Sequence, residues 1–161
     1  MKTLYLLRHA ESGLREQGLR DFDRPLNGRG REAAPLVGRF IRKRGLRVDL
    51  MLSSPAVRAR QTADLVREAA GLSADLLYDE RIYEADAARL LEVVTQAESA
   101  DALMLVGHNP GMEELLTFLT GEERHMTTAA LACVLLDVEK WAEARAGRLE
   151  WLVRPRELAE G

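Results

Sequence analysis

Arg8 and His9 close an apolar run, Leu4-Tyr5-Leu6-Leu7, and His108 follows a second, Ala102-Leu103-Met104-Leu105-Val106-Gly107. Arg58 stands shortly after a third, Leu50-Met51-Leu52-Ser53, and Glu84 shortly after a fourth, Leu76-Leu77-Tyr78. A neutral imidazole nitrogen is a nucleophile or a base. A guanidinium is a planar fork for an anion, and a carboxyl group can give or take a proton. An Arg-His pair alone is weak evidence, because an edge arginine beside a core histidine reads the same. Four such groups behind four successive apolar runs carry more weight.

Runs this short, bounded by charge, fit buried strands. The pattern predicts strands over residues 3–7, 48–53, 76–78, 102–106, 129–138 and 148–153. Helices are expected over 28–44, 55–70, 87–97 and 112–119, with a short helix around Trp141. Ala33, Leu36, Val37, Phe40 and Ile41 share one face of the first helix at helical spacing. Pro35 is awkward inside it. Ser54-Pro55 reads as an N-cap followed by proline at the first helical position, and Gly45 and Gly71 read as stops. A polar loop, 11–27, separates the first strand from the first helix. Alternating elements of this kind imply a three-layer α/β/α sandwich around a mostly parallel sheet of about six strands. Open sheets of that class bind ligands at the carboxyl edge of their strands. His9, Arg58, Glu84 and His108 are therefore expected along one edge.

The 161 residues are expected to form a single domain, 1–161, large enough to bury a core without staples. Hydrophobic residues make up 47% and charged residues 30%, a globular rather than a disordered balance. A net charge of -3 argues against nucleic acid as a partner. Cys133 is the only cysteine, so neither a disulfide framework nor a thiolate metal site is expected. No apolar run is long enough to span a membrane, and the run after Met1-Lys2 is too short for a signal-peptide core. These features point to a soluble protein in a reducing, cytoplasmic setting. No Walker loop and no Gly-x-Gly-x-x-Gly after a strand are present, so no nucleotide cofactor is indicated. No His-x-x-x-His pair occurs, and no metal site is expected. Asp21 and Asp23 form the one Asp-x-Asp pair, in a loop expected to be solvated.

The chemistry these residues share is phosphoryl transfer. A neutral imidazole nitrogen can attack phosphorus and split one displacement into two easier ones. Arginine forks stabilise the charge on the transferring group, and a helix N-terminus near Arg58 adds oriented amides. Glu84 could protonate the leaving group and then deprotonate the attacking water.

At these positions the chain resembles the histidine phosphatase superfamily, also called phosphoglycerate mutase-like. The matching segments are Leu7-Arg8-His9-Ala10, Ser53-Ser54-Pro55-Ala56-Val57-Arg58-Ala59-Arg60-Gln61-Thr62-Ala63 and Gly107-His108-Asn109-Pro110-Gly111. The resemblance implies that His9 is the phosphorylated nucleophile and that Arg8, Arg58 and His108 bind phosphate, without a metal or cofactor. Ile82-Tyr83-Glu84 falls where many members carry their acid, and Glu80 stands close by. Within the superfamily the chain is most similar to the short bacterial SixA-type phosphohistidine phosphatases. That similarity includes Asp21-Phe22-Asp23-Arg24-Pro25-Leu26-Asn27-Gly28-Arg29-Gly30 and His125-Met126-Thr127-Thr128-Ala129-Ala130. It implies as partner a phosphohistidine-containing protein, such as a phosphotransfer domain, or else a small phosphate ester. Oligomeric state is not specified.

Plainer readings stand beside these. His108 before Asn-Pro-Gly could be a turn histidine, and Arg58 a surface helix residue. His125 is read as a loop residue. Arg39, Arg42, Lys43, Arg44 and Arg47 are expected to be a solvated helix end, where cations also suit the dipole. Three functions remain: a phosphohistidine phosphatase, a small-molecule phosphomonoesterase, and a non-catalytic phosphate-binding adaptor. A binder needs the cations but not the nucleophile.

Overall fold

Alternate residues of the first strand, β1 (Lys2–Arg8), enter two different cores. Leu4 and Leu6 pack with Leu103, Leu105 and Val134 under Leu90, Val93, Met112 and Leu115. Tyr5 and Leu7 pack with Met51, Met104 and Leu131 under Val37, Ile41, Ala63 and Val66. A strand apolar on both faces is buried on both faces, which is why its sequence runs without alternation. The structure, a computed structural model, describes residues 1–13, 18–98 and 100–159. Residues 14–17, inside the expected polar loop, lie outside the described residues.

The remaining elements are α1 (Gly28–Lys43), β2 (Leu50–Ser53), α2 (Val57–Ala70), β3 (Asp75–Tyr78), α3 (Ala87–Thr95) and β4 (Ala102–Gly107). They continue with α4 (Gly111–Thr120), β5 (Leu131–Leu136), β6 (Arg148–Val153) and α5 (Pro155–Leu158). The sheet has the order β3-β2-β4-β1-β5-β6. Strands β3, β2, β4 and β1 are parallel, β5 is antiparallel to β1, and β6 to β5. Every strand but β5 therefore runs the same way. Helices α1 and α2 cover one face, α3 and α4 the other, giving the three layers of an α/β/α sandwich. Among the described residues no helix is long and apolar enough to cross a membrane.

Two local expectations need correction. The buried face of α1 is Gly30, Ala34, Val37, Gly38 and Ile41, while Ala33, Leu36 and Phe40 are only partly covered. Gly38 turns that face toward α2: a Cβ there would lie 2.6 Å from Ala69 Cβ and 2.7 Å from the Val66 carbonyl. Pro35 lies within the helix, and the carbonyl it deprives of a donor belongs to exposed Arg31, where water can bond instead. Helix α2 starts at Val57 rather than at Pro55, and its N-cap, Ala56, has no side-chain bond. Ser54 accepts a hydrogen bond from the Ala56 amide at 3.2 Å, but its hydroxyl is turned to another partner, described below.

Candidate active site

The register between β1 and β4 sets Arg8 opposite Gly107, and the His9 amide donates to the Gly107 carbonyl at 3.0 Å. Two parallel neighbours thus end at one level and release a histidine each. The rings of His9 and His108 lie 5.2 Å apart, centroid to centroid. On the other side of β4, Ser53 stands opposite Val106 and the Ser54 amide donates to the Val106 carbonyl. The chain then enters α2, whose first turn carries Arg58 to the histidine pair. Thr62, one turn on, accepts from the Ala10 amide at 2.9 Å and donates to the Arg58 carbonyl at 2.7 Å. It ties the end of β1 to the helix that presents Arg58.

His9 is 8% exposed. Its Nδ1 lies 2.7 Å from the Ala10 carbonyl, which can only accept, so Nδ1 carries the proton and Nε2 keeps its lone pair. Arg58 Nε is 3.4 Å from that Nε2. Burial, reinforced by the charges of Arg58, Arg8 and Arg24 and opposed by the Ala10 hydrogen bond, lowers the His9 pKa to about 4. His108 is 7% exposed, with Nε2 2.8 Å from the Ser54 hydroxyl and Nδ1 3.4 Å from Arg58 Nη2. Burial first, then His9 and Arg58, lower its pKa to about 3. Both rings are neutral at neutral pH. Arg8 donates through Nη1 to the Met126 carbonyl at 2.9 Å, and its Nε is buried without a hydrogen-bond partner among the described residues. Burial lowers the pKa of Arg8, yet it stays a cation in any folded protein.

Arg8, His9, Arg58 and His108 are brought together. Glu84 is not in contact with them: it is exposed, at φ 54°, and among the described residues no hydrogen bond or ion pair joins it to those four. Glu80, in the 3-10 turn Glu80–Ile82, is also exposed.

Sequence reasoning missed several residues around the cluster. Asp21, expected to be solvated, lies in the 3-10 turn Asp21–Asp23 and meets Arg58 twice. Its carbonyl accepts from Nη1 at 2.7 Å and its carboxylate from Nη2 at 3.0 Å. The carboxylate also accepts from the Tyr83 hydroxyl at 2.7 Å and from Arg24 Nη1 at 3.1 Å. The Tyr83 hydrogen bond above all, with those of Arg58 and Arg24, lowers the Asp21 pKa to about 2. The Tyr83 ring meets His108 edge-on at 5.5 Å and Phe22 at 5.2 Å. Glu113 accepts from Asn109 Nδ2, the Met126 amide and His125, at 2.9, 2.7 and 2.8 Å. It fixes the segment whose Met126 carbonyl holds Arg8. No spacing rule picks out Asp21 or Glu113, since each meets its partners across loops.

A cavity of about 1080 Å³ is lined by Glu11, Arg29, Glu32, His125, Thr127 and Arg154, among others, and by none of Arg8, His9, Arg58 and His108. The crevice presents a neutral, lone-pair-bearing nitrogen surrounded by fixed cationic donors. That arrangement can hold a tetrahedral anion against a nucleophile.

Residues 4–111 match the histidine phosphatase superfamily (branch 1). The phosphohistidine phosphatase SixA of Escherichia coli (strain K12) is 26% identical over 96% of this chain and 95% of its own length. An uncharacterised chloroplast protein of Arabidopsis thaliana is 30% identical over 96% of this chain and 78% of its own. Among solved structures, a candidate phosphohistidine phosphatase SixA from Agrobacterium tumefaciens superposes with a TM-score of 0.85 at 33% identity, covering 96% of this chain and 98% of the other. The protein histidine phosphatase SixA complexed with tungstate has a TM-score of 0.82 at 24% identity, with 97% and 99% covered, a likeness of fold.

Proposed function

Because the chain belongs to the histidine phosphatase superfamily, we propose that it is a metal-independent phosphohistidine phosphatase acting on a phosphoprotein through His9. The observation that carries the chemistry is the His9 ring itself: Nδ1 is tied to the Ala10 carbonyl, so Nε2 keeps its lone pair and turns it toward Arg58 Nε, 3.4 Å away. In the first step Nε2 attacks phosphorus and a new N–P bond forms. The N–P bond to the substrate imidazole breaks, and that ring, protonated beforehand on its other nitrogen, leaves as neutral imidazole while the His9 ring takes over the positive charge. Arg8 and Arg58 donate to the equatorial oxygens, and His108 adds a further donor. In the second step water attacks the phosphorus of phosphorylated His9. The bond to His9 breaks, the water's proton is lost to base, and inorganic phosphate departs. Glu84 is the proposed proton shuttle, with Glu80 as its alternative. Both are exposed, where a docked substrate can meet them.

The proposal of a protein substrate rests on what separates Glu84 from His108. Among the described residues only α3 and β4 lie there, which leaves no length for a lid. A small ester that cannot be enclosed offers little remote binding energy for positioning. A phosphohistidine brings its carrier's surface to cover the site. Replacing one N–P bond by another also asks less of an acid than expelling an alkoxide.

The test compares specificity constants for a phosphohistidine domain and for several small phosphate esters, with His9→Ala as the catalytic control and a chelator added in parallel. The phosphoprotein should be preferred. His9→Ala should be inactive, the chelator without effect, and Glu84→Gln more damaging to ester than to phosphohistidine turnover. Far better turnover of a sugar phosphate or phosphoglycerate would replace this reading with the small-molecule phosphatase. Phosphoprotein binding without phosphate release would replace it with the adaptor.

A further inference from the structure

A guanidinium has two donor edges, and in Arg58 they face different things. The Nε/Nη2 edge looks toward the histidines, with Nε 3.4 Å from His9 Nε2 and Nη2 3.4 Å from His108 Nδ1. The Nη1/Nη2 end is taken by one residue, Asp21, through its carbonyl at 2.7 Å and its carboxylate at 3.0 Å. We infer that Asp21 is a positioning residue, a clamp that holds the end of Arg58 so that its side edge stays aimed at the phosphoryl group between His9 and His108. The inference rests on the phosphoryl-transfer reading above.

The clamp is itself braced. Asp21 presents one carboxylate oxygen to Arg58 and the Tyr83 hydroxyl, and the other to Arg24. Arg24 is anchored in turn by the Ser12 hydroxyl and the Gly13 carbonyl, at 3.1 and 2.6 Å. Tyr83 is set between Phe22 and the His108 ring. The loop between β1 and α1 and the stretch after β3 therefore meet on one carboxylate. The side chain of Arg58 is 8% exposed, and a cation so buried needs a counter-ion close by. Asp21 provides it without covering the edge that phosphate would use.

Two other roles for Asp21 fit the geometry less well. A general acid would need a proton, and three donors on the carboxylate keep it ionised. A latch that occupies the anion site and must leave would sit on the Nε/Nη2 edge, whereas Asp21 sits on the end. Latch and clamp make opposite predictions: removing a latch speeds turnover, and removing a clamp slows it.

The experiment uses the full chain with Asp21→Ala, Asp21→Asn and Tyr83→Phe, each checked for a native urea midpoint. Turnover is measured on the phosphohistidine domain and on an aryl phosphate. Affinity for tungstate, a tetrahedral oxyanion, is measured by calorimetry. Asp21→Ala should lower kcat/KM on the order of a hundredfold, the scale expected when a reacting group is misplaced by about an ångström. The loss should fall more on kcat than on KM, and tungstate should bind more weakly. Asp21→Asn keeps the carbonyl and an acceptor for Nη2, so it should recover much of the loss. A merely structural role would not produce that rescue at an unchanged urea midpoint. If Asp21→Ala does not fold, Tyr83→Phe carries the test, with a loss of about tenfold expected from a carboxylate that keeps two of its three donors. Unchanged or faster turnover in a folded Asp21→Ala protein overturns the inference, as does Asp21→Asn being no better than Asp21→Ala. Tungstate binding separates the two readings. If wild type binds it but turns over neither substrate, the phosphatase reading fails and the clamp is still judged by affinity. If wild type does not bind it, the clamp has no anion to serve and is refuted.

Discussion

Acidification should separate the buried histidines from the rest of the molecule. The unfolded chain protonates His9 near its ordinary pKa of 6.5, whereas the folded chain holds it near 4, chiefly because burial penalises the charged ring. Between those values the unfolded state binds more protons, so stability falls as pH drops through that window and is unaffected above it. For His9 alone the loss between about pH 7.5 and about pH 4.5 comes to roughly 2.5 kcal/mol. His108 titrates against His9, so the two effects are not summed. The assay is urea unfolding of wild type and His9→Asn across that range. Carboxylates act on both proteins and cancel in the difference. The variant should grow more stable relative to wild type by about 2 kcal/mol as the pH falls. Parallel pH dependences would refute the claim that His9 is held neutral by its surroundings. The same lowered pKa predicts that the lone pair on Nε2 survives well below pH 6.5, so turnover should persist into mildly acidic solution.

Two further outcomes follow from the geometry. Arg58→Lys should lose about a hundredfold or more in rate, the scale of one missing oxyanion donor, because a point charge cannot face His9, His108 and Asp21 at once; full activity would mean that charge alone suffices. Gly38→Ala should destabilise by about 1–3 kcal/mol in thermal or urea unfolding, because the new methyl group meets Ala69 and the Val66 carbonyl across the α1–α2 contact; an unchanged midpoint would show that the helices part easily.

Much of the framework could be read from the residues, because strands buried on both faces write themselves as uninterrupted apolar runs. Leu4 to Leu7 and Ala102 to Val106 are found without a structure, and placing His9 and His108 at strand ends follows. That they end at the same level depends on the Arg8–Gly107 register, which no single strand encodes. The reversed direction of β5 is also silent in its sequence, since a strand buried on both faces looks the same either way. Ser54 reads as a helix cap because serine before proline usually is one. Its hydroxyl reaches the His108 ring instead, a partner 54 residues away. Asp21 is harder still to find. A lone aspartate in a polar loop is solvated by default, and only the folded chain shows two arginines and a tyrosine converging on it.

The place of β1 has a consequence for how the molecule is made. Strand β1, which precedes the other five in the chain, ends between β4 and β5, pairing with residues 102–107 on one side and 131–136 on the other. Until those residues exist, an apolar strand lacks both of its partners in the sheet, and the crevice that depends on it cannot take shape. Contacts so distant along the chain must close large loops before they are rewarded, which slows folding relative to local topologies. Arg8 adds a late requirement, since its guanidinium is held by the carbonyl of Met126. A truncated or nascent chain lacking β5 should therefore hold the residues that could do the chemistry and none of the geometry.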